Sequence, residues 1–356
     1  MIPISWHRSI VAVRASSEKD TGVSESHDSR ERSTLIRSNG AAALGLIAAD
    51  LVLVEEKLAD LLMSREPLLS EIAVHLISGG GKRVRPAVAL LVFKACGGED
   101  VVDMIDVAVA LELIHSATLL HDDIIDGGKT RRGRASAFSR YGLANTLVTG
   151  DFLFSKAFEL CGRFEERIVR WAADACISLT EGEIMQGRFR RNPAVTVDDY
   201  LEIIARKTAS LFSQGARVAA HLAGIGEEGA EAMWACGFNI GMAFQIIDDL
   251  LDVEGDEDLS GKPVGIDLRD GNPSLPLVLA LSQDAEVRRV FLSPEPDEAA
   301  IHSALERVRA LGVLPTVRRL AEDYTRRARE LLAALPYSAF RQALDGIVTE
   351  IEERRL

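Results

Sequence analysis

Apolar residues recur at every third or fourth position along most of the chain from Ala41 onward. The stretches from Val102 to Asp126 and from Ala230 to Asp252 show this spacing clearly. Such a repeat places the apolar side chains on one face of an α-helix, whereas the strict alternation typical of β-strands is scarce in this chain. The pattern therefore predicts an all-α protein.

Glycine and proline residues are concentrated at the breaks between the helical stretches, which we interpret as loops. The main breaks lie at 79–86, 127–133, 192–193, 255–276 and 293–296. Because no Pro/Ser-rich linker divides the helical part, residues 41–356 are predicted to form one large domain. Residues 1–40 are predicted to be a disordered tail, rich in serine and mixed charge. The absence of acidic residues from its first 17 positions leaves an organelle-targeting signal open.

Composition narrows the class of partners. The formal net charge of −13 argues against a nucleic-acid partner, because phosphate backbones attract basic surfaces. No apolar run reaches the roughly 18–20 residues that a membrane-spanning helix needs. The four cysteines include no CxxC pair and are expected to be buried core residues of a protein in a reducing compartment such as the cytoplasm. They are Cys96, Cys161, Cys176 and Cys236.

Two octapeptides, LLHDDIID at 119–126 and QIIDDLLD at 245–252, share one arrangement of aspartates. In each, the first and third aspartates are four residues apart and project from the same helical face, while the second points about 100° away. We refer to Asp122, Asp123 and Asp126 as the first cluster, and to Asp248, Asp249 and Asp252 as the second cluster. Apolar neighbours flank both clusters, which favours a lined cavity over a solvated acidic face. Such carboxylates suit Mg²⁺, which completes its shell with water and substrate phosphates.

Basic residues stand where a metal-bound polyanion could reach them. Arginine can hold a phosphate in a bidentate manner, and glycines such as those at 79–81 allow a close backbone approach. Each basic residue alone would pass for an ordinary surface charge, so the indication comes from the whole set. The candidates are Lys82, Arg85, His115, Arg131, Arg132, Lys207 and Lys262.

These motifs resemble those of the trans-isoprenyl diphosphate synthases, also called the polyprenyl synthetase family, from about residue 41 to the C-terminus. They occur in the family's order and spacing, and include GGKRVRP (80–86), ELIHSATLLHDDIID (112–126), KTASLF (207–212) and FQIIDDLLD (244–252). The resemblance implies an isoprenoid synthase type of fold, in which helices surround a deep central cavity and the two clusters face each other at its mouth. It also implies a Mg²⁺ cofactor and a homodimer.

Carried over position by position, the resemblance assigns roles to individual residues. The six clustered aspartates and Lys207 would form the catalytic set. Mg²⁺ would be held directly by Asp122, Asp126 and Asp248, with Asp123, Asp249 and Asp252 in support. Isopentenyl diphosphate would be bound by Lys82, Arg85, His115 and Arg132. The allylic diphosphate would be bound by Arg131, Lys207, Thr208, Gln245 and Lys262.

One position departs from the family pattern. Many members have a lysine in the segment that precedes the last Leu-Pro, where this chain has Asn272. One cation that faces the phosphates is therefore expected to be missing, which puts the affinity for diphosphate in question.

The reaction implied by the resemblance is ionisation of the allylic diphosphate, condensation with isopentenyl diphosphate and elimination of a proton. Ala117 and Thr118 are small at positions where short-product members have large aromatic residues. A long all-trans polyprenyl product is therefore expected, apolar enough for delivery to a membrane. The alternatives are a geranylgeranyl or farnesyl diphosphate synthase and a non-catalytic subunit of a heteromeric synthase. A terpene cyclase, which would need no second diphosphate site, fits less well.

Overall fold

The computed structural model describes residues 43–131, 133–255 and 264–353, and most of these residues are helical. The predicted all-α class is thereby confirmed. The predicted tail at 1–40 lies outside the described residues, as do Arg132 and Lys262. The helices are α1 (Ala48–Leu61), α2 (Pro67–Ile77), α3 (Val84–Ala95), α4 (Val102–Ile125), α5 (Ala137–Cys161), α6 (Glu166–Phe189), α7 (Val197–Ile204), α8 (Ser210–Leu222), α9 (Gly226–Glu254), α10 (Ile266–Asp270), α11 (Leu275–Leu281), α12 (Ala285–Leu292), α13 (Glu298–Ala310), α14 (Leu314–Leu332) and α15 (Ala339–Glu352).

The helices that carry the two clusters run through the core. In α4, 16 of the 24 residues are buried, including every residue from Met104 to Ile114. A helix that is buried all round must be covered on every side, and α4 packs against α3, α5 and α8. Helix α9 packs against α8 and α14. Because α8 contacts both α4 and α9, it lies between the helices that carry the two clusters.

A short β-hairpin follows the first cluster, in a segment that the sequence had indicated only as a loop. Strand β1 (Thr130–Arg131) pairs antiparallel with β2 (Arg134–Ala135), with Arg131 opposite Arg134. Gly133 has a φ of 72°, a left-handed conformation that glycine adopts without strain. Strands of two residues are too short for an alternating pattern to reveal them. The hairpin directs Arg131 back towards the end of α4.

A π-helical segment, Ala205–Ala209, joins α7 to α8 and contains Lys207 and Thr208. The segment is approached closely by α6 and α9. A Cβ atom on Gly182 would lie 2.7 Å from the backbone nitrogen of Lys207, and one on Gly241 would lie 2.6 Å from Cα of Ala209. Only glycine permits this packing at either position. Widened turns of this kind occur frequently at functional sites.

The described cysteines agree with the prediction of core residues. Cys96, Cys161 and Cys236 are buried, Cys176 is half-buried, and all four are free thiols. Burial raises the pKa of each thiol, so the thiolate form is disfavoured. Within the described ranges, no helix is both long enough and apolar enough to span a membrane.

Candidate active site

The first cluster lies where α4 emerges from the core. Asp122 is half-buried, with its Oδ1 atom 3.7 Å from Nζ of Lys207, while Asp126 is exposed and pairs with Arg190. Burial raises the pKa of Asp122 to about 6; Lys207 opposes this shift, whereas Glu183 and Asp126 add to it. The two carboxylates of the first cluster that were predicted to bind metal directly thus each pair with a cation that is distant in sequence.

Asp123 has a different environment from the other members of the first cluster. It is only 2% exposed, and its Oδ1 accepts a 2.7 Å hydrogen bond from Nε of Arg131. Its Oδ2 accepts a 3.3 Å hydrogen bond from the backbone nitrogen of Ala137. Asp123 therefore fastens the β-hairpin and the first turn of α5 to the end of α4. This is a supporting position, and it holds Arg131 beside the cluster.

The second cluster shows the same division between an accessible and a buried aspartate. Asp248 is exposed on α9, whereas Asp249 is 7% exposed and accepts a 2.8 Å hydrogen bond from Nε2 of Gln245. The hydroxyl of Thr208 donates to Oε1 of Gln245, also at 2.8 Å. Burial raises the pKa of Asp249 to about 7, although the hydrogen bond from Gln245 lowers it. Burial raises the pKa of Tyr200 well above its ordinary value, and the negative charge of nearby Asp249 raises the pKa of Tyr200 further.

Asp252 contributes to the architecture rather than projecting into open space. Its two carboxylate oxygens accept hydrogen bonds of 3.0 Å from the backbone nitrogens of Ile266 and Asp267. These groups open α10, where backbone N–H groups have no partner within the helix. The carboxylate thus caps α10 and holds it against the second cluster.

The π-helical segment brings the two clusters into one site. Lys207 lies beside Asp122, and the next residue, Thr208, is connected through Gln245 to Asp249. Nζ of Lys207 also pairs with Glu183 of α6. Although burial lowers it, the charges of Asp122 and Glu183 raise the pKa of the Lys207 ammonium overall. A charged lysine therefore stands between the clusters.

Arg85 lies close enough to Asp248 of the second cluster for their charges to interact. Its guanidinium carbon is 5.0 Å from the ring centroid of Phe212. Its buried Nε atom meets no hydrogen-bond partner within the described part of the chain. Burial lowers the pKa of Arg85 to about 10, although Glu112 and Asp248 raise it. A half-buried arginine whose Nε is buried and unused as a donor is suited to an anionic ligand.

The loop before α3 is held in place by Arg83, which adopts a left-handed conformation with a φ of 48°. Its Nη1 atom donates a 2.7 Å hydrogen bond to Oε1 of buried Glu112, and its guanidinium also pairs with Glu55. The neighbouring Lys82 is exposed and lines a small cavity of about 60 Å³. His115 is half-buried on α4.

The donor set fits a hard divalent cation. Within the described residues, no three potential ligands are already assembled around one point. Instead, Asp122 pairs with Lys207, and Asp126 pairs with Arg190. Mg²⁺ needs only one or two carboxylates when phosphate oxygens complete its shell, so Asp122, Asp126 and Asp248 would suffice. Carboxylates whose pKa is raised by burial also gain from a neutralising cation.

An apolar cavity of about 30 Å³ lies beneath the first cluster between α4, α6 and α8. Val107, Leu111 and Ile114 line it from α4. Thr118 stands four residues after Ile114 and four before Asp122, so it continues the same helical face towards the cluster. Ala117 is fully buried beside it.

A family model described as "Polyprenyl synthetase" matches residues 66–308. The chain belongs to the polyprenyl synthetase family. The octaprenyl diphosphate synthase of Escherichia coli is 34% identical over 307 residues, which cover 85% of this chain and 95% of that protein. The short chain isoprenyl diphosphate synthase of Methanothermobacter thermautotrophicus is 38% identical over 288 residues, or 79% of this chain and 88% of that protein.

The fold is also shared with members of known structure. The crystal structure of a polyprenyl synthase from Caulobacter crescentus, complexed with calcium and isoprenyl diphosphate, matches with a TM-score of 0.84 at 34% identity. The match covers 89% of this chain and 98% of that one. The isoprenoid synthase fold and the prenyltransferase class that the sequence motifs implied are thereby confirmed.

Several residues of this polyprenyl synthetase site had no predicted role. Glu183 of α6 pairs with Lys207, which lies 24 positions further along the chain, so no local pattern indicated this contact. Asp267 is half-buried next to the second cluster, and burial raises its pKa well above the ordinary value. Arg190 meets Asp126 across 64 positions of sequence, so no local pattern could have indicated it.

Removing either accessible carboxylate tests the metal site. Asp122→Ala and Asp248→Ala should each lower turnover by at least about 100-fold, because each removes a metal ligand. The helical circular dichroism signal should be retained. Asp174→Ala is a matched control, because Asp174 is exposed on α6 away from both clusters. Undiminished turnover of either variant, or turnover that EDTA leaves unchanged, would contradict the two-cluster site.

Proposed function

We propose that this protein condenses isopentenyl diphosphate head to tail with an allylic diphosphate and releases a long all-trans polyprenyl diphosphate. The observation that carries the proposal is the position of the π-helical segment. It places Lys207 at the first cluster and connects Thr208 to the second. One anionic group held between the clusters would therefore meet carboxylate-bound metal from both sides and an ammonium group from the protein.

The two diphosphates would occupy different parts of the site. The allylic diphosphate would lie between the clusters, against Lys207, Thr208 and Gln245, with Arg131 and Lys262 nearby. Isopentenyl diphosphate would lie against Arg85, whose buried Nε lacks a partner among the described residues. The same site would include Lys82, His115 and Arg132. Separate cationic groups for two diphosphates favour a condensing enzyme over a cyclase.

The proposed chemistry begins with departure of the allylic diphosphate. Asp122, Asp126 and Asp248 would hold Mg²⁺, which when bound supplies positive charge where negative charge develops. Lys207 would donate to an oxygen of the same leaving group, and its raised pKa keeps it protonated. Apolar side chains of α4 would keep water from the allylic cation. The released diphosphate is the proposed acceptor of the proton.

The direct test incubates the purified full chain with radiolabelled isopentenyl diphosphate, Mg²⁺ and one allylic primer. Geranyl, farnesyl and geranylgeranyl diphosphates serve as primers in parallel reactions. Label should enter an extractable prenyl diphosphate only when a primer is present, and EDTA should abolish the incorporation. Absence of product with every primer would instead indicate a non-catalytic subunit. A hydrocarbon formed from the primer alone would indicate a cyclase.

The proposed division between the two sites predicts different kinetic defects. Arg85→Ala should mainly raise the KM for isopentenyl diphosphate, whereas Lys207→Ala should mainly impair use of the allylic diphosphate. A charge-assisted hydrogen bond contributes about 1.5–3 kcal/mol, so each change should be about tenfold or more. Steady-state kinetics with each substrate varied in turn provide the measurement. The opposite pattern would reverse the assignment.

The proposed long product is supported by the small residues above the apolar cavity. A growing tail would run along α4 past Thr118 and Ala117 towards Ile114 and Leu111. These two small side chains put little bulk in that direction close to the reacting carbon, and both are buried. The relatives make different products, since one is an octaprenyl and another a short chain synthase. Product length is therefore the part of the proposal that most needs measurement.

Ala117→Phe should shorten the products. The added ring lies below the reaction centre, so early condensations should continue while later ones meet an obstruction. A close-packed wall yields only at a cost of about 1–3 kcal/mol, which disfavours passage of the tail. Reverse-phase chromatography of the dephosphorylated products measures the shift, and Ala117→Ser is the matched small control. An unchanged distribution in a folded Ala117→Phe variant would show that Ala117 does not border the tail.

The proposal includes a homodimer and a reducing compartment such as the cytoplasm. Helices α5 and α6 carry exposed large apolar side chains that a second copy could cover. They include Leu143, Leu147, Val148, Phe158, Ile177 and Ile184. Sedimentation equilibrium should then give a mass near twice the chain mass of 38.7 kDa. A monomer mass would contradict the proposed homodimer. The free cysteines support the reducing compartment, and an apolar product would pass to a membrane.

A further inference from the structure

A polar cavity of about 410 Å³ opens beside the first cluster. Its charged lining comes from the C-terminal ends of α4, α6 and α10 and from the loop after α12. The carboxylates are Asp126 and Asp270, together with Glu295. The guanidinium groups are those of Arg190, Arg191 and Arg269. The three arginines differ in how fully their donors are used, and this difference decides which of them could bind a ligand.

Arg191 is committed to the backbone. Its guanidinium donates to the carbonyl oxygens of Arg269, Ser293 and Pro294 at 3.0, 2.9 and 3.0 Å, and also to that of Asp270. Because four carbonyl groups accept hydrogen bonds from it, Arg191 stabilises the wall of the cavity and has few donors left for a ligand. Arg269 has a carboxylate partner of its own, because its Nη2 donates to Glu298 at 2.7 Å.

Arg190 has partners that a bound metal would change. Its Nη2 atom pairs with Oδ1 of Asp126, a carboxylate assigned to Mg²⁺ in the proposed function. Its Nη1 atom makes a weak 3.4 Å hydrogen bond to the carbonyl oxygen of Ile125. The side chain is 23% exposed, so it borders the cavity instead of being enclosed. If Asp126 bound a metal ion instead, the Nη donors of Arg190 would be available for a ligand beside that ion.

Asn272 holds the other side of the same guanidinium. Its Oδ1 accepts a 3.2 Å hydrogen bond from Nε of Arg190 and a 3.4 Å hydrogen bond from Nε2 of Gln186. An amide oxygen orients the guanidinium without cancelling its charge. A lysine at 272 would place an ammonium against Arg190, and the two like charges would repel each other. A lysine at position 272 and Arg190 could thus each supply the same positive charge, but not both at once.

We propose that Arg190 is a further diphosphate-binding residue, which supplies the positive charge that Asn272 does not and which Asn272 orients. The inference rests on the proposed function, because it takes the allylic diphosphate as the ligand. Arg190 pairs with Asp126. If Asp126 held a metal ion, the guanidinium would be free to offer two parallel donors to the phosphate oxygens. Asp270 lines the same cavity, so a carboxylate would remain near Arg190.

The experiment compares Arg190→Gln with Arg188→Gln, an exposed arginine two residues earlier on α6. The ligand is farnesyl thiolodiphosphate, an unreactive allylic analogue, titrated calorimetrically in the presence of Mg²⁺. Arg190→Gln should weaken binding by about tenfold or more, because it removes a charge-assisted contact. Arg188→Gln should bind as the unaltered protein does. In turnover, the KM for the allylic substrate should rise more than kcat falls, and the KM for isopentenyl diphosphate should change little.

Rescue separates ligand binding from a purely structural role. Adding Asn272→Lys to Arg190→Gln should restore most of the analogue affinity, since it returns a cation to the same place. Arg190→Lys, which keeps the charge but loses the fork, should show an intermediate loss. Unchanged affinity in Arg190→Gln would overturn the inference, as would a loss that Asn272→Lys does not restore. An unaltered protein that lacks prenyltransferase activity would count against the proposed function instead, since analogue binding is measured without turnover.

Discussion

The central constraint on this structure is that acidic side chains stand in helices whose surroundings are apolar. Moving an unpaired carboxylate out of water costs several kcal/mol, so each one needs a partner. Asp123 accepts hydrogen bonds from Arg131 and from the backbone nitrogen of Ala137. Asp249 accepts one from Gln245. The β-hairpin, the capped helix α10 and the π-helical segment all meet one of these requirements. The accessible aspartates are left to be satisfied by cations that can be exchanged.

The sequence was sufficient for the parts of the site that depend on local geometry. Aspartates four residues apart on a periodic helix share a face wherever that helix is placed, so the two clusters could be identified directly. The helical class followed from the same periodicity. The distinction between ligand and support within a cluster could not be derived in this way. It depends on partners such as Ala137 for Asp123 and Asp267 for Asp252, which lie 14 and 15 positions away.

Other features escaped prediction because they carry no periodic signal. Five π-helical residues between two α-helices are too few to alter an apolar repeat, so the sequence does not distinguish the segment of Lys207 and Thr208 from an ordinary helix. Arg190 lies in the run RFRRNP (188–193), which resembles a solvated basic turn. Its contacts with Asp126 and Asn272 join residues that are 64 and 82 positions apart, which no local pattern indicates. The sequence alone shows the asparagine at 272, but not its contact with Arg190.

In the proposed function, the pairing of Asp122 with Lys207 and of Asp126 with Arg190 would make metal and diphosphate binding mutually dependent. A metal ion on these carboxylates would free Arg190 from Asp126 and weaken the attraction of Asp122 for Lys207, which keeps its contact with Glu183. Both cations would then attract the diphosphate more strongly. Thermodynamic reciprocity then requires the diphosphate to raise the affinity for metal by the same factor. Each ligand alone would have to break ion pairs without the other's compensation. The proposed site would therefore disfavour either ligand by itself, so that metal and substrate would tend to arrive, and to leave, as a unit.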